Sequence, residues 1–266
     1  MPQSELTERQ RREITHHEEE HHEKTEIDLE LFSKPEFGPW NPYWYIYDFV
    51  RRGYQPGQRL LSFGCGRGEH GIRYAKLGYE VYGFDISPSR IQNANRLTEK
   101  YDVSDKTHFT VQAAESLNYP SDFFDIIAGE NILHHIDIPK SMRETFRTLK
   151  PGGYALFKDS IETAFRDRIR NSGLVTRFLP KGVKNLPNQV MYEKTPDERP
   201  LSAADISVIQ HVYPNLEVRH FRFLSAMSIL TRHKSRYWKV DGVLFRLFPF
   251  LRRFGDHVVL ICRKPA

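Results

Sequence analysis

Arg59-Leu-Leu-Ser-Phe63 runs without a break into Gly64-Cys-Gly-Arg-Gly68, and from there into a helical pattern that lasts to Leu77. A short apolar run ending in glycines reads as a buried strand. Glycines at alternate positions let the backbone turn sharply and meet a ligand with no Cβ in the way. The helix beyond presents the free N–H groups of its first turn. A strand, a glycine turn and a helix in this order belong to an open α/β sheet, which binds nucleotide-like ligands at the carboxyl end of its first strand.

The rest of the chain keeps the alternation. Glu80–Asp85, Thr107–Gln112, Phe124–Ala128 and Tyr154–Lys158 read as further strands. Between them, Ser87–Tyr101 reads as a helix with Ser87 as its cap and Pro88 at its first position. Ile138–Leu149 reads as another, with Asp137 as a cap, ending at Lys150-Pro-Gly-Gly153. Strands alternating with helices imply right-handed crossovers and a parallel sheet. Ser202–Val212 resumes as a helix, and Leu216–Phe223 and His257–Cys262 as the sixth and seventh strands. Residues 4–32 are polar with isolated apolar positions and read as an exposed helix or two. At 266 residues the chain suits one large α/β domain with insertions.

The dinucleotide fingerprint G-x-G-x-x-G needs a third glycine where Glu69 stands, and the Gly-Lys-Ser/Thr of a P-loop is absent. A G-x-G-x-G turn with a carboxylate nearby suits an amino-acid ammonium better than a pyrophosphate. Asp85 closes the second strand 21 residues after Gly64, where a carboxylate can accept both hydroxyls of a ribose.

Four segments in this order carry a resemblance: Phe63-Gly-Cys-Gly-Arg-Gly68, Gly83-Phe-Asp-Ile-Ser87, Phe124-Asp-Ile-Ile-Ala-Gly-Glu-Asn-Ile-Leu-His-His-Ile136 and Leu149-Lys-Pro-Gly-Gly-Tyr154. Over about residues 60–158 the chain resembles the class I S-adenosylmethionine-dependent methyltransferases, most of all the small-molecule branch with the ubiquinone and menaquinone biosynthesis enzymes. The resemblance implies a Rossmann-like, seven-stranded, mostly parallel sheet with helices on both faces and an antiparallel last strand. It implies an N-terminal helical lid over residues 1–52, placed chiefly at Thr15–Leu31. A methyltransferase domain over 53–266 would follow, with insertions at about 160–199 and 226–254, near the sixth strand.

The cofactor implied is S-adenosyl-L-methionine. By the family pattern Phe63, Gly64, Cys65, Gly66 and Gly68 bend around its methionine part, Asp85 binds the ribose and Ile86 packs on the adenine. Ala113-Ala114-Glu115 matches the third cofactor segment, usually Asp-Ala-Glu. Ala113 replaces the acid, so the adenine amino group is left to Glu115, a backbone carbonyl or water. Glu130 and Asn131 stand beside the methionine end.

Methyl transfer aligns an acceptor for in-line displacement, and an unactivated hydroxyl also needs a base. His134 and His135 follow the fourth strand, and histidine suits proton abstraction near neutral pH. One of the pair is expected to be catalytic, with His135 ahead; the other reading is that they only shape the pocket. Cys65 has no paired base and is not expected to be a nucleophile. His17 and His21 lie one helical turn apart, a spacing that can hold a metal. With glutamates on every side a solvated helix is preferred and no metal is expected. Asn41-Pro42-Tyr43-Trp44 resembles the Asn-Pro-Pro-Tyr motif of nucleic-acid amino methyltransferases, but lies before the glycine turn. Trp40, Tyr43, Trp44, Tyr45 and Tyr47 are expected to line an acceptor pocket or pack the lid.

Charge is unevenly spread. Residues 1–30 hold ten acids and four bases, whereas residues 219–266 hold eleven bases and two acids. Arg166, Arg168, Arg170, Arg177, Lys181 and Lys184 add to the basic side. The aromatic, leucine- and arginine-rich stretch Trp238–Phe254 reads as an amphipathic surface, either packed on the core or in peripheral contact with a membrane. Pro249 is expected to split any helix there. No apolar run approaches the ~20 residues that span a bilayer, and Cys65 and Cys262 make no disulfide framework. A cytoplasmic protein acting on a small, amphiphilic molecule is expected, by O-methylation first and C-methylation next. No nucleic-acid partner is expected, and the pattern sets no oligomeric state. Two alternatives stand beside it: an RNA or DNA methyltransferase, and a non-catalytic S-adenosylmethionine-binding protein.

Overall fold

The computed structural model describes residues 6–19, 25–35, 37–162, 199–222 and 234–266, with residues 17, 19 and 234–238 described through their main chain. Seven strands form one sheet: β1 (Arg59–Phe63), β2 (Glu80–Asp85), β3 (Thr107–Val111), β4 (Phe124–Glu130), β5 (Leu149–Ser160), β6 (Glu217–Phe221) and β7 (His257–Arg263). Their spatial order is β3-β2-β1-β4-β5-β7-β6. β1 to β5 pair in parallel. β7 enters between β5 and β6 and runs antiparallel to both. The expected architecture, including the antiparallel last strand, is therefore the one found.

Local sequence sets the helix starts. Thr7 and Gln10 exchange side-chain and backbone hydrogen bonds at the head of α1 (Glu8–Glu19), a reciprocal cap. Asn41 Oδ1 accepts from the N–H groups of Tyr43 and Trp44 and opens α2 (Pro42–Gly53). Its motif is thus the cap of a helix. α3 is Glu69–Leu77 and α4 is Pro88–Lys100, the latter capped by Ser87. α5 (Ile138–Thr148) starts on Asp137. α6 (Ala203–Val212) starts on a capping box between Ser202 and Asp205. α7 is Lys234–Leu247.

Helices cover both faces. Ile46, Val50, Ile72 and Leu97, from α2, α3 and α4, pack on Leu60, Val81 and Leu156. Met142 of α5, Ile209 of α6 and the adjoining Tyr213 pack on Leu61, Phe63, Ile127, Phe157 and Leu260 of the other face. Successive residues of the central strands are buried on opposite faces, as a doubly covered parallel sheet requires. Each such side chain contributes about 1.5–3 kcal/mol.

Three expectations change. β4 runs to Glu130 and β5 to Ser160. Asp159 and Ser160 belong to the sheet because they pair with Val258 and His257 of β7. The N-terminal helix is Glu8–Glu19 and carries a buried Glu13, so it is not a uniformly exposed helix; Leu31–Ser33 is a single 3-10 turn. As Pro249 predicts, the C-terminal stretch divides there into α7 and a 3-10 segment, Pro249–Phe254. His21, His22, Arg166, Arg168, Arg170, Arg177, Lys181 and Lys184 lie outside the described residues, as does the side chain of His17.

Candidate active site

The carboxyl ends of β1, β2, β4 and β5 bring the expected site residues to one edge of the sheet. Gly64, Gly66 and Gly68 all take positive φ, +67°, +53° and +81°. They differ in what surrounds them. A Cβ on Gly64 would stand 2.7 Å from Ile132 Cδ1, and one on Gly68 would stand 2.9 Å from Ala94 Cβ. A Cβ on Gly66 would meet nothing within 4 Å. Gly64 and Gly68 are therefore needed for packing as well as for the turn, while Gly66 borders open space. Its N–H is held by Asp85 Oδ2 at 3.0 Å, and Asp85 Oδ1 accepts from Ser87 N at 3.0 Å. Each carboxylate oxygen keeps a second lone pair for hydroxyl donors. A cradle without a Cβ beside a buried carboxylate fits a nucleoside with an amino-acid tail.

The other expected residues surround this cradle unequally. Phe63 and Ala114 are buried in the core, and Ile86 is half-buried after Asp85. The Cys65 thiol lies beside Asp85, and burial together with that carboxylate pushes its pKa well up, which suits packing rather than nucleophilic attack. Glu115 is engaged twice: Oε1 accepts from Asp137 N at 2.9 Å and Oε2 from Gln10 Nε2 at 2.9 Å. Glu130 Oε1 accepts from the Tyr74 hydroxyl at 3.3 Å and lies 3.6 Å from His70 Nδ1.

α1 lies across these strand ends. Arg9 donates to the His134 carbonyl at 2.7 Å, Gln10 to Glu115, and Glu13 Oε1 meets His135 Nδ1 at 3.0 Å. Glu18 accepts from the Ser87 hydroxyl at 2.8 Å and from Ser89 N at 3.3 Å. Of the expected lid Thr15–Leu31, residues 15–19 belong to α1 and residues 20–24 lie outside the described residues. Residues 25–28 turn away, and Asp28 and Ile27 bind Arg73 of α3 and Tyr101 beyond α4.

The two histidines part ways here. His134 Nδ1 stands 2.7 Å from Asp159 Oδ1, and Asp159 is fully buried. The same carboxylate accepts from Leu133 N at 3.0 Å and Ser160 N at 2.7 Å. Burial alone would raise the Asp159 carboxyl; the His134 hydrogen bond, with the charges of His134 and Lys158, holds it below the usual range. Nδ1–H donated to Asp159 makes Nε2 the basic nitrogen of His134. His135 instead pairs with Glu13 of α1. The rings lie 4.0 Å apart between centroids.

On the other sheet face a second polar cluster forms, which the sequence reading did not assemble. Lys158, buried, donates to Asn131 Oδ1 and to the Tyr43 hydroxyl at 3.1 Å. Asn131 Nδ2 also donates to the Tyr43 hydroxyl at 2.7 Å, and Asn131 itself takes a left-handed φ of +55°. With two donors aimed at its oxygen, Tyr43 must turn its own hydrogen elsewhere. Burial pushes the Tyr43 phenol up, so it stays a neutral donor. Beyond Lys158, His257 Nδ1 meets Asp256 at 2.9 Å and His257 Nε2 meets Arg222 at 2.9 Å. Arginine can only donate, so His257 is neutral with its hydrogen on Nδ1. Of the other aromatics, Tyr47 stacks on Phe32 and Tyr45 lies against Phe221. Asp159 carried a legible signal, an acid at the carboxyl end of a strand like Asp85. Lys158 carried none, because a lysine closing a strand reads as solvent-exposed. Among the described residues no cluster of three or more His, Cys, Asp or Glu could hold a metal.

Residues 61–157 match the family model described as a methyltransferase domain. The 27-O-demethylrifamycin SV methyltransferase of Amycolatopsis mediterranei (strain S699) is 31% identical over 215 residues, 79% of this chain and 78% of the relative. The chain belongs to the class I S-adenosylmethionine-dependent methyltransferases. A ubiquinone/menaquinone biosynthesis C-methyltransferase of Vibrio vulnificus (strain YJ016) is 32% identical over 117 residues, 42% of this chain and 45% of that relative. Among solved structures, geranyl diphosphate C-methyltransferase from Streptomyces coelicolor A3(2) superposes with a TM-score of 0.58 at 14% identity, covering 98% of this chain and all of that one. This last likeness is one of fold. The methyltransferase takes its methyl from S-adenosylmethionine and gives it to a small molecule. No helix among the described residues is long and apolar enough to cross a membrane.

Proposed function

We propose that this methyltransferase methylates a hydroxyl oxygen of a small, amphiphilic acceptor, with His134 as the base. The observation that carries the proposal is the buried 2.7 Å contact between His134 Nδ1 and Asp159. When bound, S-adenosylmethionine would supply an electrophilic methyl group, with Gly66 bordering its methionine part and Asp85 accepting from its ribose hydroxyls. Asp159 fixes the His134 ring and its tautomer and stabilises the imidazolium formed when Nε2 takes the hydroxyl proton. Tyr43 donates its hydroxyl hydrogen at the same edge, with Lys158 and Asn131 holding the phenol in place. α1 serves as the lid: once closed it excludes water and fixes the acceptor at effective concentrations no solution reaches. His135, tied to Glu13, reports lid closure to the strand end. The similarity to an enzyme named for a demethylated oxygen supports oxygen as the acceptor atom. The base would act on a phenol or an alcohol alike.

The test is turnover with S-adenosylmethionine against phenols, quinols, polyketide alcohols, glycolipids and RNA, read by S-adenosylhomocysteine release and product mass. A product carrying one added methyl on oxygen is expected. Methylated carbon, or methylated RNA alone, would overturn the proposal.

A further inference from the structure

Large apolar side chains are exposed at only six positions among the described residues, and five of them fall within eleven residues of chain. Val240 (46% exposed), Val243 (57%) and Leu247 (64%) belong to α7; Phe248 (47%) and Phe250 (60%) follow it. The spacing of the first three, three and then four residues, puts them on one stripe of the helix. Asp241 and Phe245 are buried and turn the other side inward. A surface helix ordinarily shows its polar face to water. α7 shows water an apolar one, continued past Pro249 by two phenylalanines.

The charge beside this stripe has one sign. Lys239, Arg246, Arg252 and Arg253 are exposed, and the only acid between Lys239 and Phe254 is the buried Asp241. Exposed apolar groups flanked by arginine, without an exposed acid, match the boundary between acyl chains and anionic headgroups. A protein partner would need a shaped counterpart, and the face offers it a convex helix and a 3-10 turn rather than a groove. The face also adjoins the site. Gly242 packs against Trp40, with 3.1 Å between its Cβ position and Trp40 Cβ. Trp40 directly precedes Asn41 and Pro42, which start α2 and set Tyr43 against Lys158 and Asn131.

We infer that the α7 face and Pro249–Phe254 dock the protein on an anionic lipid bilayer, with Leu247, Phe248 and Phe250 at the acyl boundary and the arginines on lipid phosphates. Docked this way, the Tyr43 side of the site stands near the lipid surface, where an amphiphilic acceptor concentrates. The docking itself does not rest on the proposed hydroxyl chemistry.

The test is sedimentation of the full chain with vesicles of phosphatidylcholine alone or with phosphatidylglycerol, at low and high salt. It requires neither cofactor nor acceptor. Binding to the phosphatidylglycerol vesicles is expected, weakening as salt shortens the screening length to a few ångströms. Leu247→Ser/Phe250→Ser should lower the partition coefficient by about tenfold or more. Arg246→Gln/Arg252→Gln/Arg253→Gln should remove most of the preference for anionic over neutral vesicles. Both variants replace exposed residues, and circular dichroism with unchanged S-adenosylmethionine affinity verifies their fold. Wild-type protein that stays in the supernatant with anionic vesicles at low salt overturns the inference. So does a patch variant that binds as the wild type does. A wild-type dimer that the Leu247/Phe250 variant loses, without vesicle binding by either, assigns the face to a second copy instead and likewise overturns it.

Discussion

Asp159→Asn changes one atom of the site and separates orientation from packing. The carboxylate receives three hydrogens: His134 Nδ1–H and Ser160 N–H on Oδ1, and Leu133 N–H on Oδ2. An amide has one oxygen for these three donors. With that oxygen in the Oδ1 place, His134 keeps its tautomer while the amide NH2 faces Leu133 N–H. Stability then falls by about 1–3 kcal/mol for the opposed buried donors. With the oxygen toward Leu133, the NH2 faces His134 Nδ1, which must become an acceptor, and the base nitrogen Nε2 then carries the hydrogen. The first arrangement loses a charge-assisted bond of about 1.5–3 kcal/mol, or roughly 10- to 150-fold in kcat. The second loses the base, with kcat down by up to ~10⁴-fold. The expected result is a fall in kcat of at least about tenfold at saturating acceptor, with S-adenosylmethionine affinity retained by calorimetry. Thermal unfolding sets an assay temperature at which the variant is folded. A folded variant with kcat within about twofold of wild type would show that Asp159 only braces the Leu133–Ser160 backbone.

Gly66→Val should leave a folded chain that binds no cofactor, because its Cβ enters the cradle, whereas Gly64→Ala should chiefly lower the melting temperature by pressing on Ile132; cofactor titration and thermal melts distinguish the two, and tight binding by Gly66→Val would contradict the cradle. His135→Ala should weaken cofactor affinity through the loss of the Glu13 contact more than it lowers kcat, a split that binding and single-turnover measurements resolve. Burial holds neutral His257 down at about 4 despite Asp256. The unfolded chain protonates this histidine from about 6.5; its stabilisation is therefore complete above that pH and is lost as pH falls toward 4, so His257→Gln should flatten the decline of stability in that window by up to about 3 kcal/mol, and urea melts at pH 7 and 4.5 that fall in parallel for both proteins would refute this. Arg199 holds the Asp205 carboxyl at about 2. Its contribution is present above the unfolded value of about 3.9 and lost as pH falls toward 2, so Asp205→Asn should cost about 1–2 kcal/mol at pH 7 and progressively less below pH 4; an unchanged difference at pH 3 by urea melts would count against it.

The sheet was legible wherever a short-range rule decided the structure. β1 and β2 begin and end where their apolar runs do, and Ser87 and Asp137 cap the helices their spacing predicts. The strand ends were less legible, because Asp159 and Ser160 are strand by virtue of pairing with β7, about a hundred residues away in sequence. A charged residue there reads as the start of a loop. The N-terminal helix shows the reverse case. The Thr7–Gln10 cap is a local signal for the start of α1, but the surrounding polar composition carries no apolar periodicity to mark the helix that follows it. The glycine turn after β1 and the acid closing β2 were legible from their spacing, whereas the cofactor they are assigned to came from the family resemblance. The separation of His134 from His135 did not, since two adjacent histidines have one sequence context and only the fold provides one with Asp159 and the other with Glu13.

α1 is fastened by hydrogen bonds and ion pairs at Arg9, Gln10, Glu13 and Glu18, and Glu13 is the one buried residue among its described side chains. Its attachment is therefore chiefly polar, with Leu6 and Ile14 only half-buried. Charged contacts weaken as salt is added, so α1 is the part of the fold whose hold on the body loosens with ionic strength, while the hydrophobic packing beneath the sheet ends does not.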